Sequence, residues 1–521
     1  MSTSPKHMNK ESFTYKIFKN VSYNIVGYAW PTLLTLFITP LIIMNLGVKN
    51  YGIYIFVSTV AGLLGLLEFG LGVAVIKRLS FLYGEKNFPL IARLVHTANS
   101  LYFLMGSVAL LVATIGTVYG PMLLPEKFAS YQEYASLFFI GGLIFFVNAV
   151  YGVYSVTLIA LQRFDIATKL GIVSATISST GMLAIAMLHG TLEDIFLFQL
   201  ALVIVMGMIT FYLVKQALPV ATYRFAWNID DVKSSYKFGI VAFINQMANT
   251  SLSSLDRLIL PFFVGPTNLT YYSVPGNVTT KIPGLTNVLT NTLFPTVSEL
   301  DGSGDKERIV RLYVRSFRLI IVIAAALTVT AVSFAHEVLL YWLNADFADK
   351  ATEVFIVLAI TGFVLSLFGP LSNFLLGLGR LKFLTQMSIG MGIFNILLLV
   401  LLVPHYGILG AAWAYLISVL PVFYIFYYIE KSFSDVHKKH TEDFYYKSFV
   451  GTIITSGIVW IVNTLLLSFF VKNLPSLLVI GFVSIVLYII IYRILGYFED
   501  EDWNDFLRFY KHIQYKIFAK K

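Results

Sequence analysis

The sequence predicts an all-α integral membrane protein of about fourteen transmembrane helices. They form two six-helix lobes related by a pseudo-twofold along the membrane normal, plus a terminal helix pair. Three observations predict it. Of 521 residues, 57% are hydrophobic and 12% charged, against roughly a quarter charged in soluble domains. The charges cluster, which leaves apolar runs of about 18 residues or more, long enough to span a bilayer. The helix plan also repeats itself some 218 residues further on.

Taken in order, the apolar runs place spans at 22–46, 51–76, 92–118, 132–160, 168–188, 194–216, 236–263, 269–298, 312–335, 352–378, 384–404, 407–429, 446–470 and 474–494. An even number of spans puts both termini on one side, and basic residues select that side. Of the 37 Lys and Arg, 31 fall on the side of the termini, and only Lys49, Lys127, Lys350 and Lys472 fall opposite. Cytoplasmic loops carry the excess of Lys and Arg. Both termini and the 299–311 loop are therefore expected in the cytoplasm, and the 336–351 loop outside. The net charge of +9 is then a topological signal, and no nucleic acid partner is needed to explain it.

Residues 1–20 are polar and basic, with Lys6, Lys10, Lys16 and Lys19, so no cleavable signal peptide is expected. The chain has no cysteine, which excludes disulfides, thiol catalysis and thiolate metal sites. At the other end, Trp503, Phe506, Tyr510, Ile513 and Ile517 repeat at helical spacing beside Lys511, Lys516, Lys520 and Lys521. This reads as an amphipathic helix lying on the cytoplasmic leaflet or on the protein's own loops.

Four pairs of segments carry the repeat. Gly47-Val48-Lys49-Asn50-Tyr51 matches Gly265-Pro266-Thr267-Asn268-Leu269, and Ala92-Arg93-Leu94 matches Val310-Arg311-Leu312, both 218 on. Leu161-Gln162-Arg163-Phe164 matches Leu378-Gly379-Arg380-Leu381, and His189-Gly190-Thr191-Leu192 matches Tyr406-Gly407-Ile408-Leu409, both 217 on. The lobes expected are 1–220 and 221–430, followed by the terminal pair and tail at 431–521. Six spans per lobe make parallel repeats, an arrangement that places a substrate path between the halves.

Polar residues inside the spans mark that path. The seventh span holds Asn245, Gln246, Asn249, Thr250, Ser251, Ser253, Ser254, Asp256 and Arg257. Gln246, Thr250, Ser253 and Arg257 share one helical face, and Tyr28, Thr32, Thr35 and Thr39 repeat it in the first span. In the eighth span, Asn277, Lys281, Gly284, Asn287 and Asn291 share a face. Lipid cannot satisfy such groups, so they must face protein or water. Arg257 and Lys281 lie at similar depth, about 10–20 Å from the outer ends of their spans, and suit an anionic ligand. Asp256 points about 100° away from Arg257; an ion-pair cluster that locks two helices is the alternative to a ligand site. Glu68 sits in Leu66-Leu67-Glu68-Phe69-Gly70-Leu71-Gly72, which reads as a small-residue helix suited to tight packing. Asp256 and Glu68 are the candidates for carrying a coupling proton or sodium ion.

Prolines are expected to break or bend spans: Pro31 and Pro40 the first, Pro261 the seventh, Pro275, Pro283 and Pro295 the eighth, and Pro370 the tenth. No phosphate-binding glycine loop or metal-ligand cluster is apparent, and no loop is large enough for an external catalytic domain. A transporter rather than an enzyme is expected, with no cofactor beyond an ion gradient and no metal.

Tyr51-Gly52-Ile53-Tyr54 after a Leu-Gly turn, then Glu68-Phe69-Gly70-Leu71, resembles the opening of Wzx-type polysaccharide flippases. So do Asp256-Arg257 and Leu293-Phe294-Pro295-Thr296-Val297-Ser298. These belong to the multidrug/oligosaccharidyl-lipid/polysaccharide exporter superfamily, and the resemblance covers nearly the whole chain. It implies an oligosaccharide on undecaprenyl diphosphate, flipped from the cytoplasmic to the outer leaflet of a bacterial inner membrane for O-antigen, capsule or a related glycan. A glycan polymerase is the protein partner this implies, with membrane lipids around both. Arg257 and Lys281 would then hold the diphosphate, and the amides and hydroxyls the sugars. Lipid II flippases of that superfamily carry arginines along the first span, whereas residues 20–48 here hold none. Drug/cation antiporters of the same superfamily are the alternative, and a membrane glycosyltransferase or polymerase the more distant one.

Overall fold

A computed structural model describes residues 10–123, 131–290, 293–432 and 446–498; the side chains of 10–26 and of Asn249 and Ser253 are among those outside that description. The C-terminal amphipathic segment and most of the 430–446 linker fall outside it too. Every regular element among the described residues is helical. Two packed units emerge, Met1–Thr270 and Tyr271–Lys521.

In the first unit, α1 (Lys10–Leu46) and α2 (Val48–Leu63) are followed by a 3-10 turn (Leu64–Glu68), α3 (Leu71–Gly84), α4 (Phe88–Leu123), α5 (Tyr131–Ala160), α6 (Phe164–Met187) and α7 (Leu192–Ala217). The main packings are α4 on α5, α1 on α6 and α5 on α7. Without a hydrophobic drive inside lipid, helices associate by close packing of small residues. The glycines obey this. A Cβ on Gly142 would overlap Ala113, and one on Gly207 would overlap the Tyr151 ring. The long α8 (Ile229–Thr279) begins in this unit and is broken at Gly265 (φ 80°).

In the second unit, α9 (Lys281–Thr290), α10 (Leu293–Ser303), α11 (Lys306–Ser333), α12 (Ala335–Trp342), α13 (Ala345–Gly377), α14 (Leu381–Val419) and α15 (Val422–Ser432) precede the terminal pair, α16 (Gly451–Phe470) and α17 (Leu474–Ile494). The hub is α13, which packs on α9, α10, α11, α12, α14 and α15. The terminal pair packs on α11, where Tyr488 and Tyr492 are buried and stacked, and Asn463 donates to Ser333.

Eleven described helices are long and apolar enough to cross a membrane, three fewer than the sequence predicts. The shortfall has two physical locations. The run Lys382–Lys431 counts once, although Gly407 (φ 58°, ψ −134°) breaks its helix. The segment expected to hold spans seven and eight falls in α8, α9 and α10, whose polar content keeps it off the apolar list.

The repeat is written into the backbone. Left-handed residues recur at matching places: Gly47 and Gly265, Lys86 and Gly304, Gln162 and Gly379, and, one residue out of register, His189 and Gly407. Asn87 accepts from the Leu90 N–H as Asp305 accepts from the Arg308 N–H, each at the start of a long helix. Asn50 donates to the Leu46 carbonyl and Asn268 to the Val264 carbonyl, each one turn back.

Two expectations are corrected here. Pro31 and Pro40 lie inside an unbroken α1. Each removes one backbone donor, and the helix absorbs the loss as membrane helices can when neighbours support them. The 66–72 segment is not one continuous helix, since α3 begins only at Leu71. What precedes α3 is a 3-10 turn that ends in two successive left-handed residues, Phe69 (φ 47°) and Gly70 (φ 72°).

Candidate functional site

The break after Glu68 is a tertiary effect. Left-handed backbone costs an L-residue roughly 1–2 kcal/mol, and the apolar run itself favours helix. Here the α8 backbone compensates. A Cβ on Gly70 would overlap the Gly239 carbonyl oxygen, and one on Gly239 would lie 3.0 Å from the Phe69 oxygen. Two backbones cross where both carry glycine. The Phe69 ring then lies 4.8 Å from the Phe243 ring, centroid to centroid. Farther along, α2 itself crosses α8. A Cβ on Gly52 would overlap the Pro266 carbonyl, and the Thr270 hydroxyl donates to the Val48 carbonyl at 2.7 Å. Phe56 meets Phe262 edge-on between the two crossings.

A cavity of about 290 Å³ sits at the break, lined by Leu67, Glu68, Leu71, Leu101, Met105 and Val232 among others. Glu68 is half-buried in this otherwise apolar wall. Among the described residues, Glu68 makes no side-chain hydrogen bond or ion pair.

The stripe of α8 is only partly described. Gln246 is exposed, Thr250 and Arg257 are half-buried, and Asp256 is buried at 5% exposure. Asp256 Oδ1 accepts from the Arg257 backbone N–H at 2.7 Å. On α1, Thr32 and Thr35 are half-buried and Thr39 buried. Thr35 spends its hydroxyl proton on the Pro31 carbonyl, 2.8 Å away. All of these belong to the first unit.

Lys281, Asn277 and Asn287 belong to the second unit. The sequence places them on one face of one helix, but the helix is interrupted at Thr280, between the end of α8 and the start of α9. Pro283 explains it: lacking an N–H, it leaves the Thr279 carbonyl without its helical donor. The α13 backbone closes on this interruption, for a Cβ on Gly362 would lie 2.9 Å from the Thr279 oxygen. Lys281 is half-buried as the first residue of α9. Asn287 lies against Gly369 of α13, where a Cβ would overlap its side chain. Asn373 donates to the Thr290 carbonyl at 3.4 Å.

Sequence reasoning named Gly52 and Arg93 only as motif residues, without their contacts, and missed Gly239 and Asp231. Arg93 donates twice to Asp231, at 2.8 and 3.2 Å, and so fixes the start of α8 to α4. The signal was present as an acidic pair, Asp230-Asp231, in the first turn of α8, but nothing in the sequence paired it with a residue 138 positions earlier.

Comparisons with known proteins agree with this architecture. A family model described as polysaccharide biosynthesis protein matches residues 45–352. A Shigella flexneri protein described as an O-antigen transporter is 22% identical over 411 residues, covering 78% of this chain and 95% of that one. A Haloferax volcanii protein described as a flippase, AglR, is 25% identical over 186 residues, covering 36% and 39%. Among solved structures, the lipid II flippase MurJ in an inward closed conformation superimposes with a TM-score of 0.70 at 14% identity, covering 91% of this chain and 98% of that one. An inward-facing multidrug transporter of the MATE family gives 0.56 at 12% identity, covering 80% and 96%.

Proposed function

Because the chain belongs to the polysaccharide biosynthesis protein family, we propose that it flips an undecaprenyl-diphosphate-linked oligosaccharide from the cytoplasmic to the outer leaflet by alternating access. The chain is a multi-pass membrane protein of the flippase kind, a transporter and not an enzyme. The finer reading rests chiefly on α8. It is 51 residues long, yet it concentrates Asn245, Gln246, Asn249, Thr250, Ser253, Asp256 and Arg257 in a chain that is otherwise strongly apolar. Such groups are retained in a bilayer where they line a path for polar cargo.

In this reading Arg257 and Lys281 hold the diphosphate by charge-assisted contacts. The hydroxyls and amides of Thr32, Thr35, Gln246, Asn249, Thr250, Ser253, Asn277 and Asn287 meet the sugars. The membrane is a bacterial inner membrane, with both termini cytoplasmic and a glycan polymerase as downstream partner. Glu68 or Asp256 takes up a proton or sodium ion during the cycle. Impermeant thiol reagents on Ser303→Cys in intact cells test the orientation: labelling there overturns it.

Flipping of the lipid-linked oligosaccharide in proteoliposomes tests the site. Lys281→Ala is expected to cut affinity roughly ten- to a hundredfold, the loss of a charge-assisted bond worth about 1.5–3 kcal/mol, with expression and thermal stability retained. Arg257→Lys is expected to be milder than Arg257→Ala, because charge survives and only the bidentate fork is lost. Normal flipping by a stable Lys281→Ala protein removes that residue from the site. A lone carboxylate on an apolar cavity, Glu68, favours a second reading as a lipophilic-cation antiporter. Efflux of a fluorescent cation by the same proteoliposomes, lost in Glu68→Gln, would select it.

A further inference from the structure

We infer that the ribbon joining α7 to α8 is a membrane-interface anchor that engages anionic phospholipid. Residues 218–228 are non-helical, and one edge of the ribbon is fastened to α4. His96 Nε2 and the Thr222 hydroxyl are 2.8 Å apart; Asn99 donates to the Thr222 and Arg224 carbonyls; the Ser100 hydroxyl donates to the Ala226 carbonyl and accepts from its N–H. Arg93 on the same face of α4 secures Asp231 just beyond.

The ladder takes up Thr222 and the backbone of Arg224 and Ala226, and the aromatic side chains between and beyond them face outward. Tyr223, Phe225, Trp227 and Ile229 are 40%, 52%, 64% and 64% exposed. The ridge is continuous: Tyr223 meets Phe225, and Phe225 meets the exposed Phe103 of α4, each edge-on within 5.3 Å. A row of aromatics left exposed to water is unfavourable. At a bilayer interface, where Trp and Tyr concentrate, it is stabilising. The charge fits the same partner. Lys215, Arg224 and Lys233 are exposed along the ribbon and its ends, against Asp230 alone. Basic residues beside an anionic leaflet gain electrostatic attraction that a zwitterionic one does not supply. The anchor is independent of what the chain transports.

The absence of cysteine makes the test direct. Single variants Phe225→Cys, Trp227→Cys and, as controls, Thr222→Cys and Ala226→Cys would carry nitroxide labels in proteoliposomes. The vesicles would be phosphatidylcholine, alone or mixed with phosphatidylglycerol. Labels at 225 and 227 are expected to collide with oxygen in the lipid and not with an aqueous nickel chelate, while 222 and 226 reach neither. Phosphatidylglycerol is expected to deepen 225 and 227, and a Lys215→Gln, Arg224→Gln, Lys233→Gln background to abolish that response. Free collision of 225 and 227 with the nickel chelate overturns the anchor. So does shielding from both reagents, which would mean a protein segment covers the ridge. An unchanged response in the glutamine background overturns the preference for anionic lipid.

Discussion

A methyl group on Gly70 would meet two obstacles at once. The residue has φ 72°, where a side chain is strained, and its Cβ would overlap the Gly239 carbonyl. Gly70→Ala is therefore expected to destabilise by about 1–3 kcal/mol, read as a lower unfolding temperature in detergent. Gly239→Ala is expected to cost less, because its helical backbone accepts alanine and its Cβ approaches the Phe69 oxygen only to 3.0 Å. Equal losses would mean that the crossing, and not the left-handed backbone, sets the cost. Arg93 offers a different residue-scale test. Its pair with Asp231 is half in water on the arginine side, 42% against 6% exposed, so screening reduces its worth. Arg93→Gln is expected to lower stability by only about 1 kcal/mol while loosening the start of α8, visible as faster hydrogen exchange at residues 229–235.

At the scale of elements, the two repeats solve the same turn with different residues. The turn between α5 and α6 uses Gln162 (φ 57°), and that between α13 and α14 uses Gly379 (φ 69°). Gln162 bears strain that glycine avoids, offset in part by glycine's greater freedom when unfolded. Gln162→Gly is expected to stabilise by up to about 1 kcal/mol and Gly379→Gln to destabilise by a similar amount. Opposite signs in thermal unfolding would confirm that the turns are equivalent. These turns were legible in the sequence because turn chemistry is local: Gly47, Gly265, Gly379 and Gly407 announce themselves at the repeat offset. The break at Phe69-Gly70 was not. Leu66-Leu67-Glu68-Phe69-Gly70-Leu71-Gly72 has the apolar content of a helix, and only the Gly239 backbone, far along the chain, turns it. Pro31 and Pro40 misled in the other direction. A rule drawn from water, that proline ends a helix, is weakened where packing holds the helix together. Of the candidate site, residue types and helices were legible in α8, but the interruption at Thr280 depends on how Pro283 leaves a carbonyl that α13 then covers.

For the molecule as a whole, the crossings of α2 and of the Phe69-Gly70 turn with α8 are the contacts that a rocking cycle would have to remake. In Phe69→Cys, Phe243→Cys protein, a short reducible thiol cross-linker is expected to bring flipping to background, and reduction to restore it. Undiminished flipping by the cross-linked protein would make the crossing a fixed seam. The same contacts bear on how the chain is made. By its repeat, the first half ends near residue 220. By its packing, the first unit extends to Thr270, because Gly70, Phe69 and the α4 ladder find their partners on the stretch from Thr222 to Phe243. A nascent chain emerges N-terminal part first. When its first six spans have left the ribosome, the seam beside Phe69 is still open, and it closes only after the next span has been synthesised and inserted. Until then that bare glycine-lined surface is exposed to lipid and to whatever insertion machinery holds it, so a pause in translation just past residue 220 would extend its exposure more than a pause past residue 270.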